Sequence, residues 1–189
     1  SKTFVFIQAR KLSRSRAIEE ALKGALELAG TPAADLAPLD LYSCFPCAVF
    51  LASEALGVDW RTRPCTVTGG LPFFGGAGNN YSMHAIATMA ERLRAEPGAY
   101  GLILANGGFL SKEAAGVYST APVKGWRARA ADAVQASISG ADAPTLLAET
   151  TAGVVESYSV TWKKGRPSRG YIIASNEKGR ILARVRTGH

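Results

Sequence analysis

Residues 66–80 read TVTGGLPFFGGAGNN, and this stretch decides how the rest of the chain is interpreted. A short β-branched run enters a loop with five glycines, and an amphipathic helix is predicted to follow over residues 82–94. The apolar face of that helix is predicted to carry Met83, Ile86, Ala87, Ala90 and Leu93. Glycines let the backbone approach a ligand closely, and a helix N-terminus attracts anions. The loop has neither a dinucleotide-binding fingerprint nor the Gly-Lys-Ser/Thr of a P-loop. A ligand-lining loop and a tight structural crossing are both consistent with it.

The segments around this glycine-rich stretch alternate between strands and helices. Helical spacing of apolar residues predicts helices over 14–29, 47–56 and 82–94. Runs rich in β-formers predict strands over 3–8, 39–42, 66–68, 100–105 and 116–120. This order predicts a layered α/β fold.

The last third of the chain differs in charge and pattern. Residues 1–122 carry eleven basic and ten acidic side chains, a balance of +1, whereas residues 123–189 carry eleven basic and five acidic, a balance of +6. Most of the chain's net charge of +7 therefore lies in its last third. Alternating apolar residues and tight turns after residue 153 predict an antiparallel meander, a small OB-like barrel or sheet. We therefore expect an α/β domain over 1–122 and an additional small β-domain over 123–189.

Length and composition narrow the class of protein. A chain of 189 residues can bury a core without disulfides, and its three cysteines are too few for a disulfide framework. No apolar run approaches the ~20 residues of a membrane span, and no signal peptide opens the chain. We expect a cytoplasmic protein without membrane contact. Its basic charge suggests nucleic acid, anionic lipid or a phosphorylated small molecule as a partner.

Cys44 and Cys47 form a Cys-x-Pro-Cys pattern where a strand is followed by a helix. A helix dipole lowers the pKa of such a thiol, so a redox pair is one interpretation. The Thr-Pro loop that usually packs against such a pair is missing, and we favour two small buried residues that close the turn. Cys65 and His84 lack the spacing of zinc ligands, so no metal is expected. His84 lies in a first helical turn, where an exposed or capped histidine is common.

Residues 105–108, Ala-Asn-Gly-Gly, follow a buried strand directly. A Gly-Gly pair at this place lets a ligand or another chain lie against the backbone. Taken alone, however, these residues support only a tight turn.

Taken in order, these segments resemble the C-terminal half of a thiolase. That family has a turn of the Asn-Glu-Ala-Phe or His-Asp-Cys-Phe type, then Ser-Gly-Gly-Leu and Gly-His-Pro, and finally Cys-x-Gly-Gly. Here 42–45 (YSCF), 68–71 (TGGL), 75–77 (GGA) and 105–108 (ANGG) occupy those places. The resemblance covers nearly the whole chain and is to acetyl-CoA acetyltransferase-related proteins with an extra C-terminal β-domain.

The resemblance implies a thiolase-like layered α-β-α domain and an acyl-CoA acyltransferase of lipid metabolism. A CoA thioester would be the substrate or ligand, with no separate cofactor. The family's motifs place these residues at the CoA pocket: Tyr42, Phe45, Gly70, Gly75, Gly76, Asn79 and Gly107.

The departures from the family pattern concern the chemistry. In thiolases a histidine activates a nucleophilic cysteine of the N-terminal half, and a second cysteine transfers a proton. Here Gly76 stands in place of the histidine, Ala105 in place of the second cysteine, and Tyr42 in place of the oxyanion-hole Asn or His. Because glycine and alanine transfer no proton, ordinary thiolysis or Claisen condensation by this chain is not expected. The candidate replacements are Cys44, His84 and Asn106.

A free C-terminal half would expose the apolar faces of the helices predicted over 47–56 and 82–93. We therefore expect a part of a longer chain, pairing with an N-terminal thiolase half, or a homodimer. A non-catalytic scaffold that binds CoA or a partner is the alternative function. Nucleic-acid binding through Tyr158, Trp162 and Tyr171 is not favoured, because the alternation places Tyr158 and Trp162 on the core face.

Overall fold

The computed structural model describes residues 11–123, 125, 127–139, 143–149 and 152–185. Residues 13–138 form one compact unit, here called the α/β unit. The described residues from 139 onward, with residues 11 and 12, form the other, here called the β unit. The strand predicted over 3–8 lies outside the described residues. The predicted boundary between two domains at residues 122 and 123 stays a prediction.

The α/β unit is built on a mixed sheet of three strands among the described residues. Its elements, in chain order, are α1 (Arg16–Ala29), β1 (Leu36–Leu41), α2 (Pro46–Leu56), α3 (Leu71–Phe74), α4 (Tyr81–Ala95), β2 (Tyr100–Gly107), β3 (Lys112–Ser119) and α5 (Ala131–Ser139). The strand order is β1-β2-β3, with β1 parallel to β2 and β2 antiparallel to β3. The predicted α/β class is confirmed.

Helices cover both faces of this sheet. On one face Leu102 and Leu104 of β2 join a core cluster with Ile18 and Leu22 of α1 and with α2. On the other face Ile103 packs with the buried side of α4. Successive residues of β2 therefore enter opposite cores, as the alternation of side chains along a strand requires. The sheet is the middle layer of an α-β-α arrangement.

The ends of α1 and α2 follow from local sequence. The Ser15 hydroxyl accepts a hydrogen bond from the amide of Ile18 at 3.3 Å and so caps α1. α2 begins at Pro46, whose fixed φ suits a first helical position. Gly30 and Gly57 end the two helices at φ +64° and +67°, in the left-handed region that glycine enters without strain.

Two local predictions in this unit were wrong. The buried residues of α4 are Tyr81, Ala85, Met89 and Leu93, whereas Met83, which we placed on the apolar face, is exposed. The Tyr81 side chain is drawn inward by buried polar partners, and this turns the helix relative to the apolar stripe. Residues 66–68 form no strand, because their side chains and amides bond locally instead.

The β unit contains β4 (Val154–Lys163), β5 (Arg166–Asn176) and β6 (Gly179–Arg184). They form an antiparallel sheet in the order β4-β5-β6, which confirms the predicted meander. One parallel bridge, between Leu146 and Arg180, adds to it. Among the described residues the sheet stays open, so an OB-like barrel is not confirmed.

The exposure of the β4 aromatic side chains corrects the expectation that they lie on a core face. Tyr158 and Trp162, assigned to the core by alternation, are 76% and 65% exposed. The buried positions are instead Ala174, Ile181 and the charged Arg180. The argument against nucleic-acid binding that placed these two rings on the core face is therefore removed.

In the β unit the buried Arg180 forms an ion pair with Glu156. The Arg180 guanidinium lies 2.7 Å from the Glu156 carboxylate, and its hydrogen bonds lower the pKa of Glu156. The buried arginine thus has the oppositely charged partner that a buried cation requires. Across the part of the chain that is described, no helix is long and apolar enough to cross a membrane.

Candidate functional site

The candidate site lies where β1 and β2 end. Parallel neighbours end at the same edge of a sheet, so the turn at 42–45 after β1 and the Gly107–Gly108 turn after β2 are close together. The Asn106 side-chain amide donates a hydrogen bond to the Cys44 sulfur at 3.4 Å, which joins the two turns directly. Two of the segments singled out in the sequence therefore meet.

The glycine loop, residues 69–78, is the third segment, and it contacts the first. The Leu71 amide donates to the Ser43 hydroxyl oxygen at 2.9 Å. The rings of Tyr42 and Tyr81 meet edge to face with centroids 5.5 Å apart. The turn after β1 thus holds both the start of the loop and the start of α4.

Gly70 is required at this contact. Its φ is +84°, and a Cβ added to it would lie 2.9 Å from the Ser43 hydroxyl oxygen. A side chain there is strained by the backbone and crowded by Ser43. Gly76 differs: its φ lies outside the left-handed region, and a Cβ would be 3.4 Å from Leu71 Cδ2 and 3.5 Å from Tyr81 Cβ.

This contrast gives a matched pair of variants. Gly70→Ala is expected to lower the free energy of unfolding by about 1–3 kcal/mol, because it combines a disfavoured φ with a close contact. Gly76→Ala, six residues later in the chain, is expected to change it by less than about 1 kcal/mol. Denaturant unfolding of both variants checks the expectation. Equal losses in the two would show that the Gly70–Ser43 contact does not constrain the loop.

A buried carboxylate under the site anchors the entry to the glycine loop. Asp40 on β1 is fully buried, and its Oδ2 atom accepts hydrogen bonds from the Thr66 hydroxyl and the Val67 amide at 3.0 Å each. The Tyr81 hydroxyl donates to the same oxygen at 3.2 Å and lies 2.7 Å from the Thr68 hydroxyl. One side chain therefore binds the strand end, the loop entry and α4 together.

The network continues into the loop backbone. The Thr66 hydroxyl oxygen accepts from the amides of Thr68 and Gly69, and the Thr68 hydroxyl oxygen accepts from Gly70. Burial raises the pKa of Asp40, and its hydrogen bonds from Val67 and Thr66 oppose that rise. Short polar side chains thus replace the strand that we predicted here.

The cysteines are placed differently from our expectation. Cys44 and Cys47 are free thiols and are exposed, so the interpretation as two buried residues that close the turn was wrong. Cys47 lies in the first turn of α2, whereas Cys44 precedes the helix and faces Asn106. Cys65, which is half-buried, lies 3.8 Å from the Ser53 hydroxyl. Among the described residues, no group of three or more His, Cys, Asp and Glu side chains could hold a metal ion.

His84 lies beside the glycine loop, one turn into α4. Its Nε2 atom is 3.1 Å from the side-chain nitrogen of Asn80, and its ring lies 5.1 Å from that of Phe74. It is half-buried. Its contacts are thus with the loop and not with the Cys44–Asn106 pair.

The remaining predicted pocket residues lie on the outside of the same edge. Gly75, Gly76 and Asn79 are exposed along the glycine loop. Gly107 lies at the end of β2, where a Cβ would be 3.5 Å from that of Lys112. Phe45 is exposed at the start of α2. Whether these residues line a pocket stays a prediction.

An exposed phenylalanine lies in or next to each of the three segments. Phe73 in α3 is 90% exposed, Phe109 after β2 is 78% exposed, and Phe45 is 64% exposed. Large apolar side chains grouped on a surface are typical of binding sites. The sequence had singled out only Phe45 among them.

Glu113 on β3 was missed. It pairs with Asn106 across the antiparallel strands β2 and β3. Both carboxyl oxygens are buried without a hydrogen-bond partner, and burial raises the pKa of Glu113 to about 8. One signal in the sequence could have found it: Glu113 alternates with Ala115 and Val117, which pack against the core.

One solved structure that the chain matches is that of a monomeric SCP2-thiolase-like protein type 1 (STLP1) from Mycobacterium smegmatis. The two share 37% sequence identity with a TM-score of 0.88 over 97% of this chain. This chain has a thiolase-like fold. It spans 41% of the length of that protein. No protein-family model and no curated protein matches the chain.

The comparison limits the expected assembly. Since the solved protein is described as monomeric, it does not support a homodimer or pairing with a separate N-terminal thiolase half. The thiolase resemblance inferred from the motifs is supported at the level of the fold. The closer relation to acetyl-CoA acetyltransferases stays a prediction.

Proposed function

We propose that this chain is a thiolase-like acyl-CoA acyltransferase module, part of a larger chain or assembly, that binds a CoA thioester at the carboxyl edge of β1 and β2. The observation that carries the proposal is the meeting of three segments there. The glycine loop is bonded to the turn at 42–45 through Ser43, and that turn is bonded to Asn106. In order and spacing these are the segments that the thiolase resemblance assigns to the CoA pocket.

The chemistry of the edge suits a CoA thioester. Backbone amides of a glycine loop and the N-terminus of α4 favour phosphate groups, and the Asn80 side chain does not cap that helix. Phe73 and Phe109 offer apolar surface to the uncharged parts of the ligand. Asn106 carries an amide that can donate to a thioester oxygen. The proposed contact residues remain Tyr42, Phe45, Gly70, Gly75, Gly76, Asn79 and Gly107.

The residues proposed to bind the CoA thioester do not supply the proton transfers that a thiolase needs. Gly76 and Ala105 have no titratable group, so the steps that thiolases assign to those places need other donors. His84 contacts Asn80 and Phe74 and stays a weak replacement candidate. We therefore propose that acyl transfer, where it occurs, uses groups from outside this chain.

Titration of the full chain with acetyl-CoA tests the binding. Phe73→Ser removes an exposed aromatic ring at the proposed site, and Tyr158→Ser removes one from the β unit as the matched control. We expect Phe73→Ser to weaken binding about tenfold, which corresponds to about 1.4 kcal/mol of lost apolar contact. Tyr158→Ser should bind as the unchanged chain does. Equal affinities in all three proteins, or no binding, would contradict the proposed site.

A non-catalytic scaffold that binds CoA or a partner is the second candidate, and the absent proton donors favour it. Release of free CoA thiol from acetyl-CoA separates the two functions. The scaffold predicts a binding isotherm without any thiol release in the presence of acyl acceptors. Release above the uncatalysed rate would favour the acyltransferase.

A further inference from the structure

The strongest unexplained feature of the α/β unit is a pair of polar side chains at the end of the sheet. Asn106 on β2 and Glu113 on β3 are direct partners in the antiparallel ladder. Opposite residues in such a ladder have Cβ atoms about 5 Å apart on the same face. Their terminal groups are therefore within mutual reach.

Both side chains bury acceptor atoms that find no donor. Asn106 Oδ1 and both carboxyl oxygens of Glu113 are buried and have no hydrogen-bond partner. A buried acceptor without a donor destabilises the folded state, so this arrangement needs an explanation. The Asn106 amide nitrogen, by contrast, is used: it donates to Cys44.

A proton on Glu113 resolves the arrangement. A neutral carboxyl has an O–H that can donate to Asn106 Oδ1, whereas a carboxylate offers only acceptors. Burial keeps the carboxyl protonated at neutral pH by raising its pKa to about 8. The amide of Asn106 is then held with its nitrogen towards Cys44.

On the described elements that pack against β3, we find no charged group that would take the place of the proton on Glu113. β3 is packed against β2, α1 and α4. β2 has no charged residue, and the buried face of α1 consists of Ile18, Leu22, Gly24 and Ala25. α4 packs on the opposite face of the sheet. The other charged or titratable groups on these elements are Arg16, Glu19, Glu20, Lys23, Glu27, Tyr81, His84, Glu91, Arg92, Arg94, Tyr100, Lys112 and Tyr118, and Arg14 and Glu96 lie next to α1 and α4.

We propose that Glu113 is a positioning residue for the Asn106 amide, and that this pair sets the reactivity of the Cys44 thiol with the protonation state of Glu113 as the switch. With Glu113 protonated, the Asn106 amide donates to Cys44 and stabilises its thiolate. With Glu113 ionised, the carboxylate attracts the amide nitrogen, and the donation to Cys44 is lost. The inference goes beyond the proposed function and does not require CoA binding.

Alkylation of the full chain by iodoacetamide, followed by mass spectrometry of each cysteine, tests this. Cys47 is the internal control, because it is exposed and lies three residues from Cys44. We expect the ratio of the Cys44 rate to the Cys47 rate to fall about threefold as the pH rises through 8. A ratio that stays constant from pH 6 to 9.5 would overturn the proposal, whatever the variants do.

Two variants separate positioning from a structural role. Glu113→Gln keeps a neutral donor at every pH, so above pH 8 its rate ratio should be about threefold higher than that of the unchanged chain at the same pH. Glu113→Ala removes the donor, so its ratio should be low throughout. Equal ratios of the Cys44 rate to the Cys47 rate in Glu113→Gln, Glu113→Ala and the unchanged chain would also overturn the proposal. Because no acyl-CoA is present, a failure to bind CoA leaves this result unaffected.

Discussion

Replacement of Glu113 by glutamine is expected to increase the free energy of unfolding by roughly 2–3 kcal/mol at pH 8.5 and to change it by less than about 1 kcal/mol at pH 5. The reason is the burial of the carboxyl group, which raises its pKa from 4.5 to about 8. Each pKa unit corresponds to about 1.36 kcal/mol, and partial exposure of the residue reduces the full value. Glutamine has the shape of the protonated acid and no charge to bury.

The sign follows from proton binding. Between pH 4.5 and about 8 the folded protein keeps the Glu113 proton, whereas the unfolded chain has lost it. The folded state therefore binds more protons, and this group's contribution makes stability fall as the pH rises through that window. Above about pH 8 the contribution is constant.

Denaturant unfolding at pH 5, 7 and 8.5 measures this slope. Glu91→Gln, on an exposed part of α4, controls for the loss of a charge alone. The difference between Glu113→Gln and the unchanged chain should grow with pH, while the Glu91→Gln difference should not. Parallel stability profiles for all three would show that Glu113 is not buried as described.

Replacement of Asp40 by alanine is expected to lower the free energy of unfolding by about 3–5 kcal/mol. Three donors lose their acceptor at once: the Thr66 hydroxyl, the Val67 amide and the Tyr81 hydroxyl. The site is fully buried, so water does not replace the carboxylate without rearrangement. The glycine loop should become accessible to proteases, because Thr66 and Thr68 also hold its first amides.

Tyr81→Phe is the matched control for this network. It removes one donor to Asp40 and leaves the bonds from Thr66 and Val67 in place. A loss of about 1–2 kcal/mol is expected, with the loop still protected. Unfolding and limited proteolysis of both variants check the two results. A loss for Asp40→Ala no greater than that for Tyr81→Phe would contradict the anchoring role of Asp40.

Sequence patterns predicted the elements that local physics determines. α1 and α2 have a proline or polar start and a glycine end, so their bounds were predicted closely. β2 is a continuous apolar run that enters two cores, and this run is visible without a structure. The segments of the candidate site were found because their glycines and small polar residues interrupt that pattern.

Long-range pairing explains what the sequence did not predict. Tyr81 is buried because Asp40, forty-one residues earlier, accepts a hydrogen bond from its hydroxyl. The spacing of apolar residues along one helix contains no information about such a distant bond. Glu113 matters only because β3 places it opposite Asn106. On β4 the sequence alternates, but every residue of the strand except Ser157 is exposed, so the core face to which Tyr158 and Trp162 were assigned is not formed.

The central claim is that the glycine loop and the two turns beside it form the CoA-thioester site. Hydrogen exchange of the full chain, with and without saturating acetyl-CoA, tests it most directly. We predict slower exchange of amides in residues 69–80 and 105–108, with exchange in β4 and β5 unchanged. Equal exchange of both segments at saturating ligand would contradict the claim.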